Sequence, residues 1–154
     1  MIDTRILEIT AELAKADNIV IVPHKGPDGD AMGSTLGLMH FLRDKGHKAN
    51  VIAPNDYPHF LKWLPGSEEV YIYEQQKEVS DQLIAEAQIV FTLDFNDLSR
   101  SGKIAENIVG VLTQKNYFGL ESMGIGYLAF DINEHQYERF YNNYKLKNID
   151  LDTF

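Results

Sequence analysis

The apolar positions of this chain change their period several times, and each change marks an element. Ile6, Leu7, Ile9 and Leu13 recur at helical spacing within residues 4–16, which predicts an opening helix. Ile19-Val20-Ile21-Val22 is an unbroken β-branched run, the pattern of a parallel strand covered on both faces, and Pro23 stops it. From about Ala31 a helical stripe returns: Met32, Leu36 and Met39 fall in line with Ala31, Leu38 and Leu42 beside them, and Gly46 ends the run. Further on, Ala49–Ala53, Val70–Tyr73 and Ile89–Leu93 read as strands. Pro58–Trp63 reads as a short helix, and Glu78–Ala87 and Asp97 to about Ile108 as longer ones. This alternation predicts an α/β fold, a doubly wound, mostly parallel sheet flanked by helices and joined by right-handed crossovers. It places His24 and Asp94 at the carboxyl ends of two strands on one sheet edge, the edge where open α/β sheets bind ligands.

Past Val109 the pattern fades. Gly110–Tyr127 holds four glycines with no clear period, and Glu134–Lys147 is a polar, tyrosine-rich helix candidate. The expected division is therefore an α/β core over residues 1–108, then an irregular segment with a C-terminal helix over 109–154. Phe60 and Trp63, on an amphipathic turn, are expected in the core or on an inter-domain surface. His40 and His47 are expected in surface or core roles away from the loop that begins at His24.

Composition narrows the chemistry. At 154 residues and 44% hydrophobic, the chain can build one well-cored domain. With no cysteine there are neither disulfides nor thiolate metal sites. Imidazole and carboxylate donors remain, a set suited to Mn2+ or Mg2+ rather than a structural zinc. No apolar run approaches the roughly 20 residues of a membrane span. Met1-Ile2-Asp3-Thr4-Arg5 lacks the features of a signal peptide, so a cytoplasmic location is expected. A formal net charge of −9 argues against long duplex nucleic acid as a partner. A small phosphorylated substrate gripped through metal ions needs no basic surface.

The densest chemistry lies directly after the first strand, in His24-Lys25-Gly26-Pro27-Asp28-Gly29-Asp30-Ala31-Met32-Gly33-Ser34. One imidazole and two carboxylates fall within seven residues, and the turn can fold both carboxylates back toward the strand end. Taken singly, each has a plainer role: His24 bonded to backbone, Asp28 and Asp30 forming the turn, Asp30 capping the helix. Gly33 and Gly37 lie one turn apart, where the missing side chains would let the helix approach the sheet or a phosphate closely.

Taken together, the segment resembles the first signature of the DHH phosphoesterases, His-x-x-Pro-Asp-x-Asp-Ala-x-Gly-Ser, at every fixed position. Leu93-Asp94-Phe95-Asn96 resembles the second signature. The stretch Pro54–Gly66, reading Pro-Asn-Asp-Tyr-Pro-His-Phe-Leu-Lys-Trp-Leu-Pro-Gly, is similar to the intervening segment of the oligoribonuclease and 3′-phosphoadenosine 5′-phosphate phosphatase branch. The resemblance covers roughly residues 1–108. It implies that His24, Asp28 and Asp94 hold one ion, that Asp30 and Asp94 hold a second, and that these four residues act through metal-bound water. It further implies substrate contacts from Gly33 and Ser34 at the helix start, where simple packing is the alternative. Asn96 would orient ligands, and Arg100 would clamp a phosphate unless it merely lies on a solvated face.

The chain departs from the family pattern in two respects. All five histidines, His24, His40, His47, His59 and His135, stand alone, so no Asp-His-His triplet is present. The second ion is therefore expected to bind weakly unless Asp131 or His135 substitutes. The family's glycine-rich substrate motif also has no match. The resemblance implies a metal-dependent phosphoesterase acting on short oligoribonucleotides or 3′,5′-bisphosphonucleosides, impaired in this chain, with Mn2+ or Mg2+ as cofactor and room for a homodimer. The alternative is a non-catalytic binding module that keeps the fold and at most one ion. A phosphoacceptor switch at Asp94 fits less well, because the acidic loop is of the wrong kind.

Overall fold

A computed structural model describes residues 4–95 and 97–114. Helix α1 (Thr4–Leu13) leads into strand β1 (Asn18–Pro23), helix α2 (Gly29–Asp44) and strand β2 (Lys48–Ala53). After a long connection come strand β3 (Tyr71–Ile72), helix α3 (Lys77–Glu86), strand β4 (Ile89–Leu93) and helix α4 (Ile104–Gln114). The sheet order is β3-β2-β1-β4, and every pairing among the described residues is parallel.

The unbroken apolar run of β1 is explained by what covers it. Ile19 and Ile21 pack on one face with Met32, Leu36, Met39 and Leu42 of α2, all nearly or wholly buried. Val20 and Val22 pack on the other face with Ile84 of α3 and Ile104 and Ile108 of α4. A strand between two helical layers has no polar side to show, so alternation disappears from the sequence. Full burial of each such side chain contributes about 1.5–3 kcal/mol, which fixes the sheet on which the site is built.

Several boundaries differ from the sequence reading. Helix α2 starts at Gly29 and is capped by Asp28, whose side chain accepts from the Ala31 N–H, so the cap expected of Asp30 belongs to Asp28. The stretch expected to be one helix from Asp97 is two elements. A 3-10 turn over Leu98–Ser101 is capped by Asp97 through the Ser99 N–H at 2.8 Å. Gly102, at φ +65°, then turns the chain before α4, which runs on to Gln114 past the expected boundary at 108. Pro58–Trp63 shortens to a 3-10 turn over His59–Leu61, which buries Leu61 alone.

Phe60 and Trp63 are 70% and 75% exposed, which removes them from the core. Gly33 and Gly37 are exposed, and a Cβ at either would meet nothing within 4 Å, so neither draws α2 onto the sheet. His40 is exposed beside the Pro65 carbonyl, and His47 is half-buried against that of Ala16. No helix among the described residues is long and apolar enough to cross a membrane. The stretch 115–127, the helix candidate Glu134–Lys147, Asn96, Asp131 and His135 lie outside the described residues.

Candidate metal centre

Strands β1 and β4 pair in register up to Pro23 and Leu93, so the next residues, His24 and Asp94, leave the sheet side by side. This is also where the strand order reverses. From β1 the chain moves outward to β2 and β3, then crosses back to place β4 on the opposite side of β1. Such a switch point opens a crevice at the carboxyl ends of the strands. Asp94 stands in it with φ at +64°, a left-handed conformation that aspartate tolerates better than most residues.

The side chains converge. His24 Nε2 lies 3.4 Å from Asp94 Oδ2 and 3.8 Å from Asp28 Oδ1. The imidazole is buried, with 8% of its side chain exposed, against 11% for Asp94 and 65% for Asp28. His24 Nδ1 is 2.9 Å from the Lys25 carbonyl oxygen, which can only accept, so Nδ1 carries a proton and donates it there. Nε2 is thereby left to face two carboxylates, Asp94 within the crevice and Asp28 at its exposed rim. An imidazole nitrogen oriented by a backbone carbonyl and flanked by two carboxylates is an arrangement that a divalent ion completes.

The geometry fits a divalent ion. Each of the three residues offers one donor atom, and these atoms all lie within 4.8 Å of one another. Two donors sharing an ion at about 2.1 Å apiece stand about 3.0 Å apart when adjacent and about 4.2 Å when opposite. The separations of His24 from both carboxylates fall in that range. One imidazole and two carboxylates form a mixed nitrogen and oxygen donor set that suits a divalent metal ion. Asp28 also caps α2, accepting from Ala31 N at 3.1 Å, and that bond holds its carboxylate at the crevice mouth.

The remaining sequence candidates are placed as follows. Asp30 is exposed in the first turn of α2 and lies outside the three-donor set. Ser34 is half-buried, with its hydroxyl donating to the Ala31 carbonyl at 3.2 Å. Gly33 faces open space. Arg100 is exposed on the turn after β4, and its carbonyl accepts the Lys25 N–H at 2.6 Å, so this turn abuts the loop that carries the ligands.

Sequence reasoning missed a second tie to that loop. The Gly26 N–H donates to Asn55 Oδ1 at 2.6 Å, from just beyond the end of β2. The available signal was an asparagine at a strand end on the edge that carries His24. Its neighbour Asp56 is held below the ordinary carboxylate value, first by the Lys62 ammonium and then by the Tyr57 N–H.

Comparison with known proteins agrees with this fold. A family profile described as DHH family, N-terminal domain, matches residues 18–114, from β1 through α4. Over 65 residues the chain is 45% identical to the bifunctional oligoribonuclease and PAP phosphatase NrnA of Thermus thermophilus, a match covering 41% of this chain and 19% of that protein. The crystal structure of an exopolyphosphatase-related protein from Bacteroides fragilis aligns with a TM-score of 0.67 at 30% identity, covering 97% of this chain and 58% of that one. The chain therefore spans less than two thirds of either protein.

Proposed function

This chain belongs to the DHH family through its N-terminal domain, and from that premise we propose that it is a metal-dependent phosphoesterase domain acting on phosphate esters of short oligoribonucleotides or 3′,5′-bisphosphonucleosides. The observation that carries the reading is His24 Nε2, oriented by its Nδ1 bond toward the carboxylates of Asp28 and Asp94. His24, Asp28 and Asp94 would hold Mn2+, or Mg2+ in its place. When bound, the ion supplies positive charge to the phosphoryl oxygens and makes a nearby water a stronger nucleophile at neutral pH.

The chain's own residues do the rest. The Lys25 carbonyl fixes the His24 ring, and the α2 cap fixes Asp28, so neither has to be ordered when substrate arrives. Asp30, in the first turn of α2, is proposed to serve a second ion together with Asp94. Gly33 and Ser34, one turn into α2, are proposed to contact a phosphate drawn to the positive end of the helix dipole. Arg100 and Asn96, on the segment after β4, are proposed as further phosphate contacts. Hydrolysis forms a new bond from water oxygen to phosphorus, breaks the ester P–O bond, and passes a proton to the departing oxygen. The net charge of −9 favours a small substrate gripped through metal over a long polyanion.

A second reading, a non-catalytic module binding one ion, is favoured by the fact that three donors gather while Asp30 stands apart. Two measurements separate the readings. Calorimetry with Mn2+ is expected to show one site per chain, abolished in Asp28→Ala. Hydrolysis of 3′-phosphoadenosine 5′-phosphate and of short oligoribonucleotides is expected to be Mn2+-dependent, slower than the roughly 1 per second at the low end of common enzymes, and lost in Asp94→Ala. Binding without any turnover would select the second reading, and absence of binding would overturn both.

A further inference from the structure

The loop between β1 and α2 carries two of the three candidate donors, and at its tip Lys25 and Gly26 are exposed while Pro27 beside them is buried. Gly26 also has φ at +67°, so the loop makes a left-handed turn there. Two hydrogen bonds tie this tip to other elements. One runs from the Lys25 N–H to the Arg100 carbonyl, backbone to backbone. The other runs from the Gly26 N–H to the side chain of Asn55, which lies 29 residues away in sequence.

The Asn55 amide can sit only one way round. Its oxygen must face the Gly26 N–H, because that group can only donate, while its Nδ2 donates to the Asp56 carbonyl at 2.8 Å. Both partners are backbone groups, so the amide is oriented without help from any flexible side chain. Asn55 itself follows Pro54 directly beyond β2, which pairs in register with β1. The bond therefore references the loop to the neighbouring strand, while the Arg100 bond references it to the turn after β4. Between them the two ties locate the loop from both sides of β1.

We propose that Asn55 is a positioning residue for the metal centre, its side-chain oxygen holding the Gly26 N–H and thereby the spacing between His24 and Asp28. The proposal rests on the reading of His24, Asp28 and Asp94 as metal ligands. A ligand set works only when its donors stay within about 0.5 Å of the required geometry, and removing groups that orient metal ligands typically weakens affinity about 10- to 100-fold.

The test is calorimetric titration of Mn2+ into the full chain as wild type, Asn55→Ala and Asn55→Asp, with the Gly26 amide followed by NMR and hydrogen exchange in the metal-free proteins. Alanine removes the acceptor and should weaken Mn2+ binding about 10- to 100-fold while moving and deprotecting the Gly26 amide. Aspartate keeps an acceptor for the Gly26 N–H but loses the bond to the Asp56 carbonyl, so it should restore part of the affinity and bind Mn2+ more tightly than alanine does. A purely structural role would lower the stability of the alanine variant and leave its Mn2+ affinity unchanged, which overturns the proposal. So does failure of aspartate to restore affinity. If the alanine variant does not fold, the wild type still decides, because rapid exchange of its Gly26 amide contradicts the bond. Absence of Mn2+ binding by the wild type overturns the metal reading and the proposal with it, whereas wild-type affinity in Asn55→Ala overturns the proposal alone.

Discussion

Asp94 is the described non-glycine residue with a positive φ, at +64°, and it is also a candidate ligand. Such a conformation costs most L-residues, alanine among them, roughly 1–2 kcal/mol, and glycine escapes that cost. Comparing Asp94→Gly with Asp94→Ala isolates it, since both lose the carboxylate. In urea unfolding with chelator present, the glycine variant should be the more stable by about 1 kcal/mol, and neither should bind Mn2+. Equal stabilities would mean that the backbone is relaxed at this position. His24, Asp28 and Asp94 were legible in the sequence because each sits in a short motif beside a strand signal. Asn55 was not, because its role depends on a partner that only strand pairing brings near.

Among the elements, α2 is capped by Asp28, and substitution can separate that cap from the residue's proposed role as a metal ligand. Asp28→Asn keeps an oxygen for the Ala31 N–H and should retain stability, whereas Asp28→Ala should lose about 1 kcal/mol. Both should lose Mn2+ affinity, so a titration and a denaturation curve on the pair distinguish cap from ligand. On the outer face of the same helix, Gly37 has open space where a Cβ would go. Gly37→Ala is expected to raise stability by about 0.5–1 kcal/mol in chemical denaturation, and a loss there would reveal a close neighbour. The strands and helices were legible as elements, since period and β-branching report burial. Their ends were not. The break at Gly102 depends on a positive φ that a single glycine does not announce. The exposure of Phe60 and Trp63 depends on which side of a three-residue turn the loop presents, and hydrophobicity alone does not decide that.

Across the whole molecule, the layer opposite α2 is joined by polar as well as apolar contacts. The Tyr73 hydroxyl donates to Asp81 at 2.9 Å and accepts from Asn107 at 2.7 Å, and Asn107 also reaches Asp81, so the residue just past β3 meets α3 and α4 at one point. Burial, and next the Asp81 bond, push the Tyr73 phenol above its ordinary value, and burial does the same for Tyr57. A group whose folded pKa is raised gives stability that is complete below its unfolded value, about 10, and is lost as pH rises through the folded value. Alkaline titration should therefore leave stability flat through neutral pH and erode it above about 10. Tyr73→Phe should blunt that erosion when unfolding is followed by circular dichroism.

The in-register pairing of β1 with β4 has a consequence in time. His24 emerges from the amino-terminal end of the chain, and Asp94 cannot join it until β3, α3 and β4 have been made and have crossed back over β1. A growing or refolding chain therefore contains the imidazole long before it contains a complete grip on an ion. An ion held by His24, Asp28 and Asp94 would thus reward the last step of sheet assembly and not guide the first. Once assembly is complete, an ion at 100 times its dissociation constant would add about 2.7 kcal/mol to stability by mass action alone. In a refolding experiment, manganese should accordingly slow unfolding while leaving the early folding rate untouched, and a chain ending before Ile89 should gain nothing from it.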